Sequence, residues 1–231
     1  MSQLFELAPD PVLEMTGSDA CFPVGRIFCV GQNYAAHARE MGFEPQREAP
    51  IFFTKSPAAV CHSGSTIAYP PGTENCHYEV ELVVALGKGG FRVAPRDALG
   101  LVAGYGVGID LTRRDLQNTA RGNGHPWDTG KDFENAAVIA PLTRVEAFGA
   151  VGDQRITLTQ NGELKQDAHL RDLIWSVPEL ISDLSRYYHL APGDLLYTGT
   201  PAGVGPIAPG DRLVGAIDGL TPVELQIGPA E

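Results

Sequence analysis

Apolar positions in this chain come in short runs separated by clusters of glycine, proline and acidic residues, the pattern of short strands joined by turns. "RIFCVGQNY" (26–34) predicts a strand ended by Gly31, and "NYAAHAREMG" (33–42) a brief helix with Asn33 as its N-cap and Gly42 at its end. "PIFFTKSPAAV" (50–60) returns to β character and is broken by Pro57; "STIAYPPGTENC" (65–76) reads as a turn-rich connection. "HYEVELVVAL" (77–86) is a strand bound for the interior, and "PRDALGLVAGYGVGIDLT" (95–112) holds a short helix and then an apolar run that ends at Asp110.

Further on, "TRRDLQNTARG" (112–122) predicts a helix with Thr112 as N-cap and Asp115 three residues later, a capping-box-like start. "HPWDTGKDFENAAVIAPL" (125–142) reads as a loop and a strand, and "RITLTQNGELKQD" (155–167) as a hairpin about Asn161-Gly162. "SVPELISDLSRYY" (176–188) is the clearest helix, with Ser176 and Glu179 forming a capping box and Leu180, Ile181 and Leu184 an apolar stripe. The tail from Gly193 gives three short strands between Gly/Pro loops. Strands outnumber helices without strict β-α alternation, so the expected class is α+β and β-rich. Residues 1–20 form a lead-in packed on a single domain that spans 21–231.

Composition narrows the function. The net charge is −11, so the basic footprint of a nucleic-acid binder is missing. An anionic small substrate remains allowed if local cations or a metal overcome the global field. The four cysteines (Cys21, Cys29, Cys61 and Cys76) have neither zinc nor disulfide spacing, which suits free thiols in the cytoplasm. The first residues have no signal-peptide pattern and no apolar run is long enough for a membrane span. "GTPAGVG" (199–205) lacks the lysine and following helix of a phosphate loop; its glycines fit a close backbone approach to a ligand.

Candidate chemistry begins inside the "HYEVELVVAL" strand. Strand alternation puts His77, Glu79 and Glu81 on one side and Val80, Leu82 and Val84 on the other. A half-exposed strand would leave these acids wet. A buried one would need a hard cation, for which carboxylate oxygens suit Mg²⁺, Mn²⁺ or Ca²⁺. Asp110, at a strand end before a helix, is either a helix-start residue or a third ligand. His37 and Glu40 fall on one helical face and read alone as an ordinary surface pair. Lys131 reads alone as a loop lysine, and Arg113 and Arg114 as a solvated helix face. His62, His125, His169 and His189 carry no supporting pattern, and an oxygen-rich site makes His77 a neighbour rather than a ligand.

Together, "HYEVELVVALG", "GYGVGIDLTRRDLQ", "KDFENAAVIAP" and "PGDLLYTGTPAGVGPIAPGD" resemble the fumarylacetoacetate hydrolase family from about Cys21 to Ile227, and within it the bacterial acylpyruvate hydrolases. The resemblance implies a mixed β-sandwich roll with a few short helices, usually a homodimer. It implies Glu79, Glu81 and Asp110 as ligands of Mg²⁺ or Mn²⁺ and His37 and Glu40 as the acid/base pair. Lys131 and Gln117 would hold the substrate's developing charge, and Arg113, Arg114 and Thr200 would lie near the substrate. Asp132, beside Lys131, either weakens that cation or points away. The implied activity is hydrolysis of a carbon–carbon bond of a 2,4-diketo acid, such as fumarylpyruvate, to pyruvate and a carboxylic acid. Oxaloacetate decarboxylation and a heptadienedioate-type isomerisation are the alternatives on the same metal-enolate site. Three carboxylates and a dication sum to about −1, so Lys131 would help an anionic substrate in. Arg39, Arg113, Arg114 and Arg121 are candidates to read a distal carboxylate. The short polar helix and loop after Asn33 pack little and would act as a lid.

Overall fold

Two sheets hold most of the strand residues in the computed structural model, which describes residues 4–6, 9–42 and 47–230. The larger sheet runs in the order Ile51–Lys55, Ile27–Gly31, Leu195–Tyr197, Val80–Leu86, Val102–Asp110, Ala137–Ile139, Val60–His62, with Thr143–Arg144 also paired to Val102–Asp110. The second sheet runs Glu163–His169, Arg155–Gln160, Arg212–Ile217, Val223–Ala230, Ser65–Tyr69. Parallel and antiparallel pairings are mixed in both. The β-rich α+β class expected from the turn spacing is what the chain adopts.

The centre of the larger sheet is buried on both faces. Every residue of Val80–Leu86 is buried, as is nearly all of Val102–Asp110. On one face Val80 and Val107 pack against the second sheet at Gly215. On the other, Gly104, Gly106 and Gly108 alternate toward Asp110, and room is scarce there. A methyl group at Gly108 would sit 2.6 Å from both Tyr197 and Val83, closer than carbon atoms approach. The glycines thus admit Tyr197, whose hydroxyl donates to the Val138 carbonyl at 3.0 Å.

Two local signals hold. Ser176 and Glu179 do form the capping box of the helix Val177–Leu184, and Asn161 and Gly162 turn the 155–169 hairpin at φ 55° and 83°. Four expectations fail. Asn33 does not cap the helix, which runs Ala35–Glu40 after Tyr34. Its side chain instead donates to the carbonyls of Trp175 and Thr198 and accepts from Trp175 N–H. Thr112 does not cap the next helix, Arg114–Gly122, because its hydroxyl accepts from Lys131 at 2.7 Å. Ser65–Tyr69 is a strand rather than a connection, paired in parallel with Val223–Ala230, and the tail holds four strands rather than three.

The helix Ala35–Glu40 is also better anchored than its polar sequence suggests: Tyr34, His37 and Ala38 are buried. Residues 43–46 of the expected lid lie outside the described residues. In the lead-in, Val12–Glu14 pairs with Cys21–Pro23 and buries Leu13.

Candidate metal and keto-acid site

One antiparallel pairing builds the acidic centre. Val80–Leu86 and Val102–Asp110 lie in a register that puts Val80 opposite Ile109 and Glu81 opposite Gly108. Asp110 N–H donates to the Glu79 carbonyl at 2.8 Å. Glu79, Glu81 and Asp110 therefore converge, each able to present an oxygen within 4.8 Å of the others. Their side chains are not wet: relative exposures are 4%, 1% and 0%. His77 does not join them. The run breaks at Glu79 into two strands, and His77 belongs to Cys76–Tyr78 in a small separate sheet with Thr112–Arg113 and Gly205–Pro206. Its Nε2 lies 2.9 Å from Asn75 Oδ1, and burial, helped by Arg114, lowers its pKa to about 4.

Three cations enclose the acids. Lys131 Nζ donates to Glu79 at 2.7 Å, Asp110 at 2.8 Å and Thr112 Oγ1 at 2.7 Å, which uses all three of its N–H groups. Arg114 donates to Glu79 through Nη2 and to Gln117 Oε1 through Nη1, the latter at 2.6 Å. Lys55, which sequence reasoning missed, is 2% exposed, and its Nζ lies 2.8 Å from Asp110 Oδ1. That contact has ion-pair distance without hydrogen-bond geometry, and Lys55 also donates to the Leu111 and Lys131 carbonyls. A lone lysine at the end of an apolar strand, "IFFTK", was the available signal. The formal sum is three negative against three positive, or zero, rather than the net negative surplus expected before a cation binds.

The acids differ in what offsets their burial. For Glu79, desolvation is outweighed by Lys131 and Arg114, which hold the carboxyl well below its usual range. For Lys131, desolvation is outweighed by Asp110 and Glu79, which raise it. Among the described residues Glu81 has no cation in ion-pair contact. Burial first, then Asp110 and Glu79, push its carboxyl well above the usual range, against one backbone bond from Gly199 N–H at 2.7 Å. An all-oxygen donor set containing one destabilised buried carboxylate fits a hard divalent cation.

Above the acids opens a cleft of about 430 Å³, counting the part open to solvent, lined among others by His37, Arg114, Gln117, Arg121, Trp127, Lys131 and Thr200. His37 Nδ1 is 3.0 Å from Glu40 Oε2. Glu40 is in turn held by Gly203 N–H at 3.0 and 3.2 Å. The loop "GTPAGVG" thus aims two backbone amides at two acids, Gly199 at Glu81 and Gly203 at Glu40. Gly203 has φ 96°, and a side chain there would strike the Lys165 carbonyl, so the position requires glycine. Thr200 Oγ1 accepts from Gln166 Nε2 at 2.8 Å.

Some expected residues lie elsewhere. Arg113 does not line the cleft; it stacks over Phe133, 4.2 Å from the ring centroid, and donates to the Thr129 carbonyl. Adjacent residues at the strand-to-helix junction face different ways, so only Arg114 turns inward. Arg39 is exposed and outside the cleft. Asp132 points away, accepting from Ser56 N–H and Oγ at 2.8 and 3.0 Å.

The fumarylacetoacetate hydrolase C-terminal family model matches residues 26–228. The fumarylpyruvate hydrolase of a Ralstonia species is 51% identical over 185 residues, covering 80% of this chain and 95% of that protein. An oxaloacetate tautomerase of Escherichia coli is 36% identical over 199 residues, covering 86% and 90%. A crystal structure of fumarylpyruvate hydrolase from Pseudomonas aeruginosa, in complex with Mn²⁺ and pyruvate, superposes with a TM-score of 0.95 at 48% identity, covering 99% of this chain and 100% of that one.

Proposed function

The chain belongs to the fumarylacetoacetate hydrolase family, and from that premise we propose that it hydrolyses a carbon–carbon bond of an acylpyruvate such as fumarylpyruvate, releasing pyruvate and fumarate. The observation that carries this reading is the buried convergence of Glu79, Glu81 and Asp110 beneath the His37–Glu40 pair. The 51% identical relative supports fumarylpyruvate as the substrate. The oxaloacetate tautomerase match is weaker, at 36% identity, and neither decarboxylation nor isomerisation needs the activated water that a His–Glu pair provides.

Glu79, Glu81 and Asp110 would hold a divalent cation, Mg²⁺ or Mn²⁺, which when bound would supply Lewis-acid stabilisation of the charge left on the departing pyruvate. The chain's own groups do the rest. Glu40 accepts from the Nδ1–H of His37, which leaves Nε2 as the proton acceptor. His37 takes a proton from water as the water oxygen bonds to the acyl carbonyl carbon. Gln117 has its Oε1 committed to Arg114, so its amide N–H groups are the donors turned to the developing oxyanion. Lys131, with its donors committed, acts through its charge.

Collapse breaks the bond to the pyruvate methylene, and the electron pair stays on that carbon. The proton on His37 returns to it, and the carboxylic acid formed loses its own proton to solvent. Thr200, its oxygen accepting from Gln166, turns its O–H toward the substrate carboxylate. We read 21–231 as the catalytic unit, residues 1–20 as its lead-in, a homodimer as the assembly and the cytoplasm, on cysteine usage, as the compartment. Among the described residues no helix is long and apolar enough to cross a membrane.

Purified protein with Mg²⁺ or Mn²⁺ and fumarylpyruvate should release pyruvate and fumarate in equal amounts. His37→Gln and Glu40→Gln should each lower kcat by about 10²–10⁴-fold, the range of general acid–base catalysis, with metal binding retained. Full turnover in both variants would defeat the assigned base.

A further inference from the structure

We propose that Arg121 is the specificity-determining residue that reads the distal carboxylate of a dianionic acylpyruvate, an assignment that rests on the acylpyruvate reading above. One helix, Arg114–Gly122, carries three cleft-lining residues at spacings of three and four: Arg114, Gln117 and Arg121. That spacing stacks them on one face, turn above turn. Arg114 is at the foot, bound to the metal-ligand candidate Glu79. Gln117 is one turn up, where its amide reaches the scissile carbonyl. Arg121 is a further turn up, toward the exposed rim.

The ladder has the length of the substrate. Seven residues of helix rise about 10 Å. The two carboxyl carbons of an extended fumarylpyruvate lie roughly 7–8 Å apart on standard bond lengths. A substrate whose keto-acid end sits over the buried triad therefore brings its far carboxylate to the level of Arg121. Met41 and Trp127 also line the cleft, and their apolar surfaces suit the flat alkene between the two polar ends.

Charge favours the same residue. Among the described residues the cleft is lined by three cations, Arg114, Arg121 and Lys131. Both terminal nitrogens of Arg114 are on Glu79 and Gln117, and the ammonium of Lys131 is on Glu79, Asp110 and Thr112. These two cations sit on the buried carboxylates at the foot of the cleft, below the level that the substrate's tail reaches. Arg113 and Arg39 lie outside the cleft. A second carboxylate entering a protein of net charge −11 needs a local cation, and a guanidinium can grip it through two N–H groups.

The test compares two acylpyruvates with wild type, Arg121→Gln and Arg121→Lys: fumarylpyruvate, with its distal carboxylate, and acetylpyruvate, with an uncharged methyl. Arg121→Gln should lower the ratio of kcat/KM for fumarylpyruvate over acetylpyruvate by about 10- to 100-fold, mainly through KM. Arg121→Lys should recover part of it, since an ammonium keeps the charge but loses the fork. Circular dichroism checks that the variants fold. An unchanged ratio in Arg121→Gln, or a wild type that prefers acetylpyruvate, overturns the assignment while leaving the acylpyruvate reading in place. A wild type that hydrolyses neither compound overturns both.

Discussion

Glu81 and Asp110 make a natural contrast, because the same triad holds one carboxylate with two lysines on it and one with none among the described residues. Removing the charge of Asp110 strands Lys55 and Lys131 in the interior, and breaking a buried ion pair on one side costs about 3–5 kcal/mol. Removing the charge of Glu81 strands no cation and relieves a carboxylate pushed up by burial and then by Asp110 and Glu79. In metal-free buffer, urea unfolding should therefore find Asp110→Asn strongly destabilised and Glu81→Gln as stable as wild type or more so. Calorimetric titration with Mn²⁺ should nonetheless find affinity lowered at least about 10- to 100-fold in both, the loss typical even of groups that only support a ligand. Equal stability of the two variants would mean that the lysines do not depend on Asp110.

Among the elements, the two sheets meet the site through one side chain that local pattern could not have identified. Gln166, fully buried on the strand Glu163–His169, accepts from Val80 N–H at 3.0 Å and donates to Thr200 Oγ1 and the Pro201 carbonyl, each at 2.8 Å. Val80 lies between the two glutamates, so this amide ties the acid strand to the glycine loop. Gln166→Leu leaves Val80 N–H and the Pro201 carbonyl buried without partners, a loss of about 1–3 kcal/mol for each group stranded. It also frees the Thr200 hydroxyl to turn. KM for the keto acid should rise more than kcat falls, and a variant with unchanged KM would make Gln166 a purely structural residue. Asn33 and Thr112 illustrate the same point: both have capping side chains by type, and both are recruited to bonds across the fold, Asn33 to Thr198 and Thr112 to Lys131. Ser176, on an exposed helix start with no distant partner, behaves as its local sequence predicts.

Over the whole molecule, the balance of buried charge sets how a metal couples to stability. Three acids and three cations sum to zero, so a dication gives the site a positive surplus, which suits a dianionic keto acid better than the small negative surplus expected from the triad alone. A ligand that binds only the folded chain stabilises it by about 2.7 kcal/mol at a hundredfold excess over Kd. For a chain of this size that is a rise of about 5–10 °C in Tm, to be read by thermal unfolding with and without Mn²⁺, abolished by chelator and reduced in Glu81→Gln. No rise in the wild type would count against the triad as a metal site. The sequence by itself determined the β-rich class, the hairpin at Asn161-Gly162 and the cap at Ser176, because these rest on alternation, turn chemistry and residue type along neighbouring positions; alternation left the three acids either wet or buried, and only the family resemblance implied them as a set. Tertiary structure alone decided that Lys55 faces Asp110, that Arg113 turns away while Arg114 turns in, that Gly203 holds Glu40 and that Gln166 bridges the sheets. Those outcomes depend on strand register and on which buried polar group finds a partner far along the chain, and a desolvated group takes the partner that the whole fold brings within reach.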